Sequence, residues 1–281
     1  MTFSQRIIRK YYLWRVRFAL KVDDRPCVLC GNNSRFTIVA ITDRYGLPVK
    51  TVTCDDCGFL QTRPAPTEKF LEWFYGSPAY RGLYQGKLRA QAGVDNDDSF
   101  RRAETNTAFI RSHVNVPHGA AVLDFGSADG EIALALKRIR PDLQVYGLEP
   151  GAHFSDANSG KLDGIFGDIR EMARDKKFDL ITSYHVLEHV RDPIQILIEL
   201  KKHLTMQGVM VLAVPSVSQY GQNERGSFLS ENFHIAHLHH FSKDIFEKTA
   251  EIVGMKLTYA ADEILGDKPY GVRVILTQFL S

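Results

Sequence analysis

Val122-Leu-Asp-Phe-Gly-Ser-Ala-Asp-Gly130 reads as the end of a buried strand running into a tight turn. Ala121 to Phe125 is a short apolar run broken only by Asp124, and Gly126 and Gly130 permit a turn whose backbone can approach a ligand. A helix-like segment, Ile132 to Ile139, follows. A second apolar segment, Gln144 to Leu148, then ends in Glu149-Pro150. This is the rhythm of a strand-helix-strand nucleotide site, with Glu149 placed to accept hydrogen bonds from both hydroxyls of a ribose. Gly167-Asp168-Ile169 and the apolar strand Phe178 to Tyr184 continue the alternation, so the expected fold class is α/β with a Rossmann-like sheet.

The turn carries chemistry as well as shape. A phosphate loop would need Gly-Lys-Ser/Thr, and a dinucleotide fold Gly-x-Gly-x-x-Gly facing a pyrophosphate. Here Asp124 and Asp129 flank the turn and no lysine stands in it. Carboxylates there repel phosphate and suit a cationic group instead.

These segments, together with Val186-Leu-Glu-His-Val190 and Gly208-Val-Met-Val-Leu-Ala-Val-Pro-Ser216, resemble the class I S-adenosylmethionine-dependent methyltransferases over residues 105–281. The resemblance implies a seven-stranded sheet closed by an antiparallel hairpin, from strands Lys256 to Asp262 and Val272 to Phe279. It also implies S-adenosylmethionine as cofactor. On that likeness Asp124, Gly126, Ser127, Ala128, Asp129, Gly130, Glu149, Pro150, Asp168, Ile169 and Tyr184 are expected to line its site. Ala128 stands where many members have a glycine, a departure of one methyl group.

All four cysteines fall in two Cys-x-x-Cys pairs, Cys27-Val-Leu-Cys30-Gly31 and Cys54-Asp-Asp-Cys57-Gly58. Two-residue spacing lets both thiolates of a knuckle face one ion, and two knuckles complete a tetrahedron with no open position. With β-rich segments Arg35 to Ala40 and Val49 to Thr53 between them, the layout predicts a zinc ribbon with a structural ion. Two disulfides are the rival, and they require an oxidising compartment. The pattern Cys54-x-x-Cys57-Gly-Phe-Leu-Gln-x-x-Pro64-x-Pro66, followed by Phe74-Tyr75 and Tyr80, resembles the N-terminal zinc module of bacterial sugar and polysaccharide methyltransferases. That likeness implies a sugar or glycan acceptor and places Tyr80 against cofactor or substrate. Tyrosines that merely pack a junction are the competing reading.

Seven of the ten histidines lie between His185 and His240, which makes a proton acceptor available near neutral pH. His189, just past the fourth strand, and His237, on the loop after the fifth, are the candidate general bases. The sugar C-methyltransferases carry a histidine at both places and a glutamate where Ala236 stands here, so O-methylation is favoured over C-methylation. A second mechanism has His185, Glu188, His189 and His237 holding a divalent ion. Val186-Leu-Glu188-His189 is similar to the Glu-x-x-Glu-His element of ubiquinone-pathway and small-RNA O-methyltransferases. His185 replaces its first glutamate, which favours a softer metal than magnesium. Glu188 and His189 as a mere helix cap remain the plainer alternative.

At 281 residues the chain has room for a full core and a smaller module, and a net charge of +2 argues against a surface coated with nucleic acid. An RNA methyltransferase gripping RNA through the ribbon is nonetheless the second functional reading. The charge is uneven. Residues 1–21 hold Arg6, Arg9, Lys10, Arg15, Arg17 and Lys21 with no acid, interleaved with aromatic and aliphatic residues. Such a helix suits either its own protein or an anionic membrane surface. The expected parts are a basic helix (1–24), the ribbon (25–63), a helical linker and active-site cover (64–104) and the cofactor-binding domain (105–281). Helices are expected at Glu68 to Tyr75, Phe100 to His113 and Lys243 to Val253, with Arg81 to Asn106 as a polar connection and Val217 to Glu231 as a substrate-covering insertion. With no secretory signal and no spanning run, a cytoplasmic location is expected, at the inner membrane face if residues 1–21 touch lipid.

Overall fold

The computed structural model describes residues 2–84, 86, 96–150, 160–217, 232–265 and 268–279. The insertion expected over 217–231 lies outside these residues apart from Val217, as does most of the stretch between 85 and 95. The chain divides into two compact units, residues 1–94 with 220–239 and residues 95–219 with 240–281. The histidine-rich segment up to His239 therefore folds with the cysteine module, whereas the sequence reading kept it inside a contiguous 105–281 domain.

In the first unit, α1 (Phe3–Ala19) is opened by a capping box on Thr2, whose hydroxyl accepts from the Gln5 amide while the Gln5 side chain returns the bond. The strands are β1 (Val22–Asp23), β2 (Phe36–Ala40), β3 (Thr51–Cys54), β4 (Leu60–Thr62) and β5 (Ala65–Pro66). β2, β3 and β4 form an antiparallel meander that carries the cysteines at its ends. Helix α2 (Glu68–Gly76) is capped by Thr67 and buries Phe70, Leu71 and Phe74. The stretch with Tyr80 and Tyr84, which runs into the expected polar connection from Arg81, is helix α3 (Ala79–Tyr84), and it buries Ala79 and Leu83. One core joins Tyr12 and Val16 of α1, Leu47, Val49, Phe74 and Leu83 to Ile235, Ala236 and Leu238. Hydrogen bonds to their backbone also hold Ile235 and Leu238. The Thr62 amide donates to the Leu238 carbonyl, and buried Asp43 accepts from the Ile235 amide.

The second unit runs α4 (Asn96–His113), β6 (Ala121–Phe125), α5 (Glu131–Ile139), β7 (Gln144–Leu148), β8 (Gly164–Phe166), β9 (Phe178–Tyr184), α6 (Pro193–Lys202) and β10 (Leu204–Val214). The short strand β11 (His239–His240) straddles the division of the chain, and α7 (Lys243–Val253), β12 (Lys256–Leu265) and β13 (Lys268–Thr277) complete it. α4 begins four residues before the expected Phe100. The sheet order is β12-β13-β10-β9-β6-β7-β8, seven strands as expected. β10, β9, β6, β7 and β8 are parallel and β13 runs antiparallel between β10 and β12. Strand order reverses at β6, so the carboxyl ends of β6, β7 and β9 open on the switch point where such sheets hold ligands. Local signals place the helices: Asp192 caps α6 with Pro193 in its first turn, and α7 runs from a Ser242 cap to left-handed Gly254.

Candidate active site

The turn after β6 requires glycine where Val186 packs against it. Gly126 sits at φ +74°, and a Cβ there would lie 2.3 Å from Cγ2 of Val186. Its amide and that of Ser127 donate to the Leu148 carbonyl, which ties the turn to the end of β7. Ala128 takes φ +42° in the same turn. Gly130, at φ +76°, opens α5, whose first-turn amides face the bend.

Four side chains from the sequence reading reach the carboxyl ends of adjacent strands. Glu149 follows β7. Its amide donates to the Phe166 carbonyl and its Oε2 accepts from the Ala128 amide at 3.1 Å, so it faces the turn and is half-buried. Asp168, after β8, caps the one-turn helix Ile169–Glu171 and pairs with Arg170, whose guanidinium holds its carboxyl down at about 2. Tyr184 ends β9 with its hydroxyl buried, and burial raises its pKa. Asp129 and Pro150 are exposed.

Asp124 differs from the other carboxylates. It is buried beneath the turn, where Thr182 Oγ1 donates to its Oδ1 at 2.7 Å. Burial pushes its pKa up to about 7, against the hydrogen bonds from Thr182 and from the Ala133 amide. It props the turn and the start of α5 rather than presenting an open face. A carboxyl raised in the folded state from 3.8 to about 7 contributes stability below about pH 4, and that contribution is lost as pH rises through about 7. Thermal unfolding across this range should therefore show a falling limb that Asp124→Asn flattens.

Past β9 the backbone turns sharply at His185, φ +56°, which places His185, Glu188 and His189 in one loop. Glu188 is 1% exposed, and its Oε1 lies 3.6 Å from both His189 Nε2 and His185 Nδ1. The other face of the His185 ring meets Glu263, Nε2 to Oε2 at 3.3 Å. Glu263 in turn pairs with Arg273 at 2.7 Å, and Arg273 also donates to Asn106. Burial would raise the Glu263 carboxyl, but His185 and Arg273 outweigh it and lower its pKa. The sequence reading missed Asn106, Glu263 and Arg273. A signal was present, because Arg273 is the lone charge in the apolar run Val272 to Leu276.

In the first unit the four cysteine sulfurs lie within 4.8 Å of one another. Cys27 and Cys57 are 3.6 Å apart, Cys30 and Cys54 3.5 Å, and no disulfide forms. A tetrahedral ion with metal-sulfur bonds of about 2.3 Å sets its sulfurs about 3.8 Å apart, so the thiols fit such an ion. The two knuckles match: Gly31 and Gly58, both at positive φ, donate to the carbonyls of Cys27 and Cys54 at 2.8 Å. Burial pushes the Cys27 thiol up to about 11. Burial also acts upward on Cys54, but the hydrogen bond from Asn32 and those of the knuckle amides bring it down to about 7. His237 and Tyr80 belong to this unit as well. The His237 ring lies 3.7 Å from that of His234, and its carbonyl accepts from Thr62 Oγ1. Tyr80 packs edge-on against Phe74 and tilted against Tyr75 and Tyr84, and the Tyr84 hydroxyl meets His234 Nδ1 at 2.9 Å.

Residues 98–260 match the model of the methyltransferase-domain family. The chain belongs to the class I S-adenosylmethionine-dependent methyltransferases. Among its relatives, the release factor glutamine methyltransferase of Geobacter sulfurreducens is 39% identical over 154 residues, 50% of this chain and 51% of that protein. The ubiquinone biosynthesis O-methyltransferase of Rickettsia prowazekii is 27% identical over 109 residues, 37% of this chain and 43% of that protein. The chain thus spans about half the length of the curated relatives it matches. Among solved structures, the plantazolicin methyltransferase BpumL in complex with SAH superposes with a TM-score of 0.55 at 13% identity, covering 74% of this chain and 93% of that one. A methyltransferase from Mesorhizobium loti gives 0.50 at 12%, covering 62% and 98%. Likeness at such identities establishes the fold of this methyltransferase and nothing about its acceptor.

Proposed function

We propose that this methyltransferase methylates a hydroxyl group, that of a sugar in a nucleotide sugar or surface glycan, with His189 as general base and a zinc ion bracing the cysteine module. The observation that carries the proposal is the acid-base pair past β9, where the buried carboxylate of Glu188 backs the His189 imidazole. Bound S-adenosylmethionine supplies a methyl carbon already made electrophilic by its sulfonium, so the protein has to align the acceptor and take its proton. Glu149 receives the ribose diol, and the Gly126 to Gly130 turn lies beside it, its Ala128 amide donating to the same carboxylate. The sugar acceptor rests on the likeness of Cys54 to Pro66 to the zinc module of sugar and polysaccharide methyltransferases, and the O-methylating relatives are consistent with an oxygen acceptor.

Metal assistance is the second reading, favoured by the placement of Glu188 between His185 and His189. His185 suits it as well, because Nε2 facing Glu263 leaves Nδ1 on the Glu188 side, the arrangement of a histidine ligand held by a carboxylate. His189→Ala should lower turnover by roughly a hundredfold or more while leaving cofactor affinity unchanged, measured by methyl transfer to nucleotide sugars and by calorimetry. Turnover that His189→Ala lowers, that chelators abolish at intact fold and that an added divalent ion restores supports the metal reading. Turnover indifferent to both removes this chemistry from the loop after β9.

A further inference from the structure

Helix α1 has two apolar faces, and among the described residues only one packs into the fold. Tyr12 and Val16 are buried, and Ile8, Leu13, Ala19 and Leu20 pack around them on the core of the first unit. On the other side Phe3, Ile7, Tyr11, Trp14 and Phe18 are each between 50% and 80% exposed. At 3.6 residues per turn these five fall within an arc of about 80°, a single stripe along the whole helix. Trp14 and Phe18 pack against each other along it, their rings tilted by 55° with centroids 4.8 Å apart. Arg6, Lys10 and Arg17 are exposed on one flank of the stripe, Arg15 lies on the other, and Lys21 is exposed just past its end. Residues 1–21 contain no acid at all.

From this arrangement we infer that α1 seats the protein on an anionic lipid surface, with the aromatic stripe in the headgroup region and the cations against lipid phosphates. Aromatic side chains with one apolar body and one polar edge favour that interface, and flanking Lys and Arg add attraction to negative lipids. Other occupants fit less well. A second copy of the chain laid on the stripe would bring two wholly cationic flanks together, which is repulsive. Nucleic acid would satisfy the cations but leave Phe3, Ile7 and Phe18 without an apolar environment. The helix stays at the surface, since no helix among the described residues is long and apolar enough to cross a membrane. The inference is independent of the methyl acceptor.

Flotation of the full-length protein with vesicles tests it. Binding is expected to vesicles containing phosphatidylglycerol and not to phosphatidylcholine alone, and to weaken as salt is raised. The double variant Trp14→Ser, Phe18→Ser should abolish flotation, and Arg6→Gln with Lys10→Gln should lower the partition on the order of tenfold. These four residues lie outside the buried face, so melting temperature and S-adenosylmethionine affinity should not move and will report folding. No binding to phosphatidylglycerol vesicles by the folded protein overturns the inference. So does binding that both variants retain, or a dimer that the aromatic variant dissociates in the absence of any lipid affinity.

Discussion

Glu149→Ala is expected to weaken S-adenosylmethionine binding by about a hundredfold or more, since two hydrogen bonds to a charged acceptor are lost together, each worth about 1.5–3 kcal/mol. The position leaves little alternative. β7 ends at Leu148, the Glu149 backbone is pinned by its amide to the Phe166 carbonyl, and the carboxylate already leans on the Ala128 amide. It therefore faces the turn at the topological switch point, where a ribose diol meets a strand-end acid in sheets of this order. The fold should survive the change, because Glu149 is half-buried and lies outside the hydrophobic cluster beneath the sheet. Calorimetric titration checks the affinity and thermal unfolding checks the fold. Unchanged affinity in a folded variant would remove Glu149 from the cofactor site.

Strong chelation, or Cys54→Ser, is expected to unfold the cysteine module and lower the melting transition of the first unit by about 10 °C or more. Residues 25–63 contribute few fully buried large side chains of their own, chiefly Leu47 and Phe59. A metal tetrahedron on the four sulfurs would offset the chain entropy there. Burial of Cys27 and Cys57 keeps those thiols protonated without a nearby positive charge, as their raised pKa values indicate. A cation at the centre of the four sulfurs reverses that balance. Metal analysis should return one zinc per chain. Protein that is free of metal and melts unchanged in chelator would contradict a structural ion.

Much of the second unit was legible because its signals are local. The strand-turn-helix at Gly126 to Gly130 needs glycine where backbone is left-handed or crowded by Val186. The Ser242 cap and Gly254 stop bracket α7 at both ends. β10 was read from Gly208, yet it begins at Leu204, because an irregularity between Leu204 and Val209 hides the alternation. Helix α3 was hidden for a different reason: Ala79 and Leu83 become a helical face only when buried in the core that contains Tyr12 and Val16. Segment 233–239 carries no local mark of its unit. Its place follows from Asp43 holding the Ile235 amide and Leu238 accepting from Thr62, pairings nearly two hundred residues apart in sequence for the first of these. Arg273 stood out as the lone charge of its apolar run, but its pairing with Glu263 follows only from β12 and β13 bringing the two charges into one hairpin.

The most direct test is a crystal structure of the chain grown with S-adenosylhomocysteine. Density for the nucleoside is predicted over the Gly126 to Gly130 turn, with both ribose hydroxyls on the Glu149 carboxylate. An empty crevice at saturating ligand, or one filled by the chain's own side chains, would contradict the account.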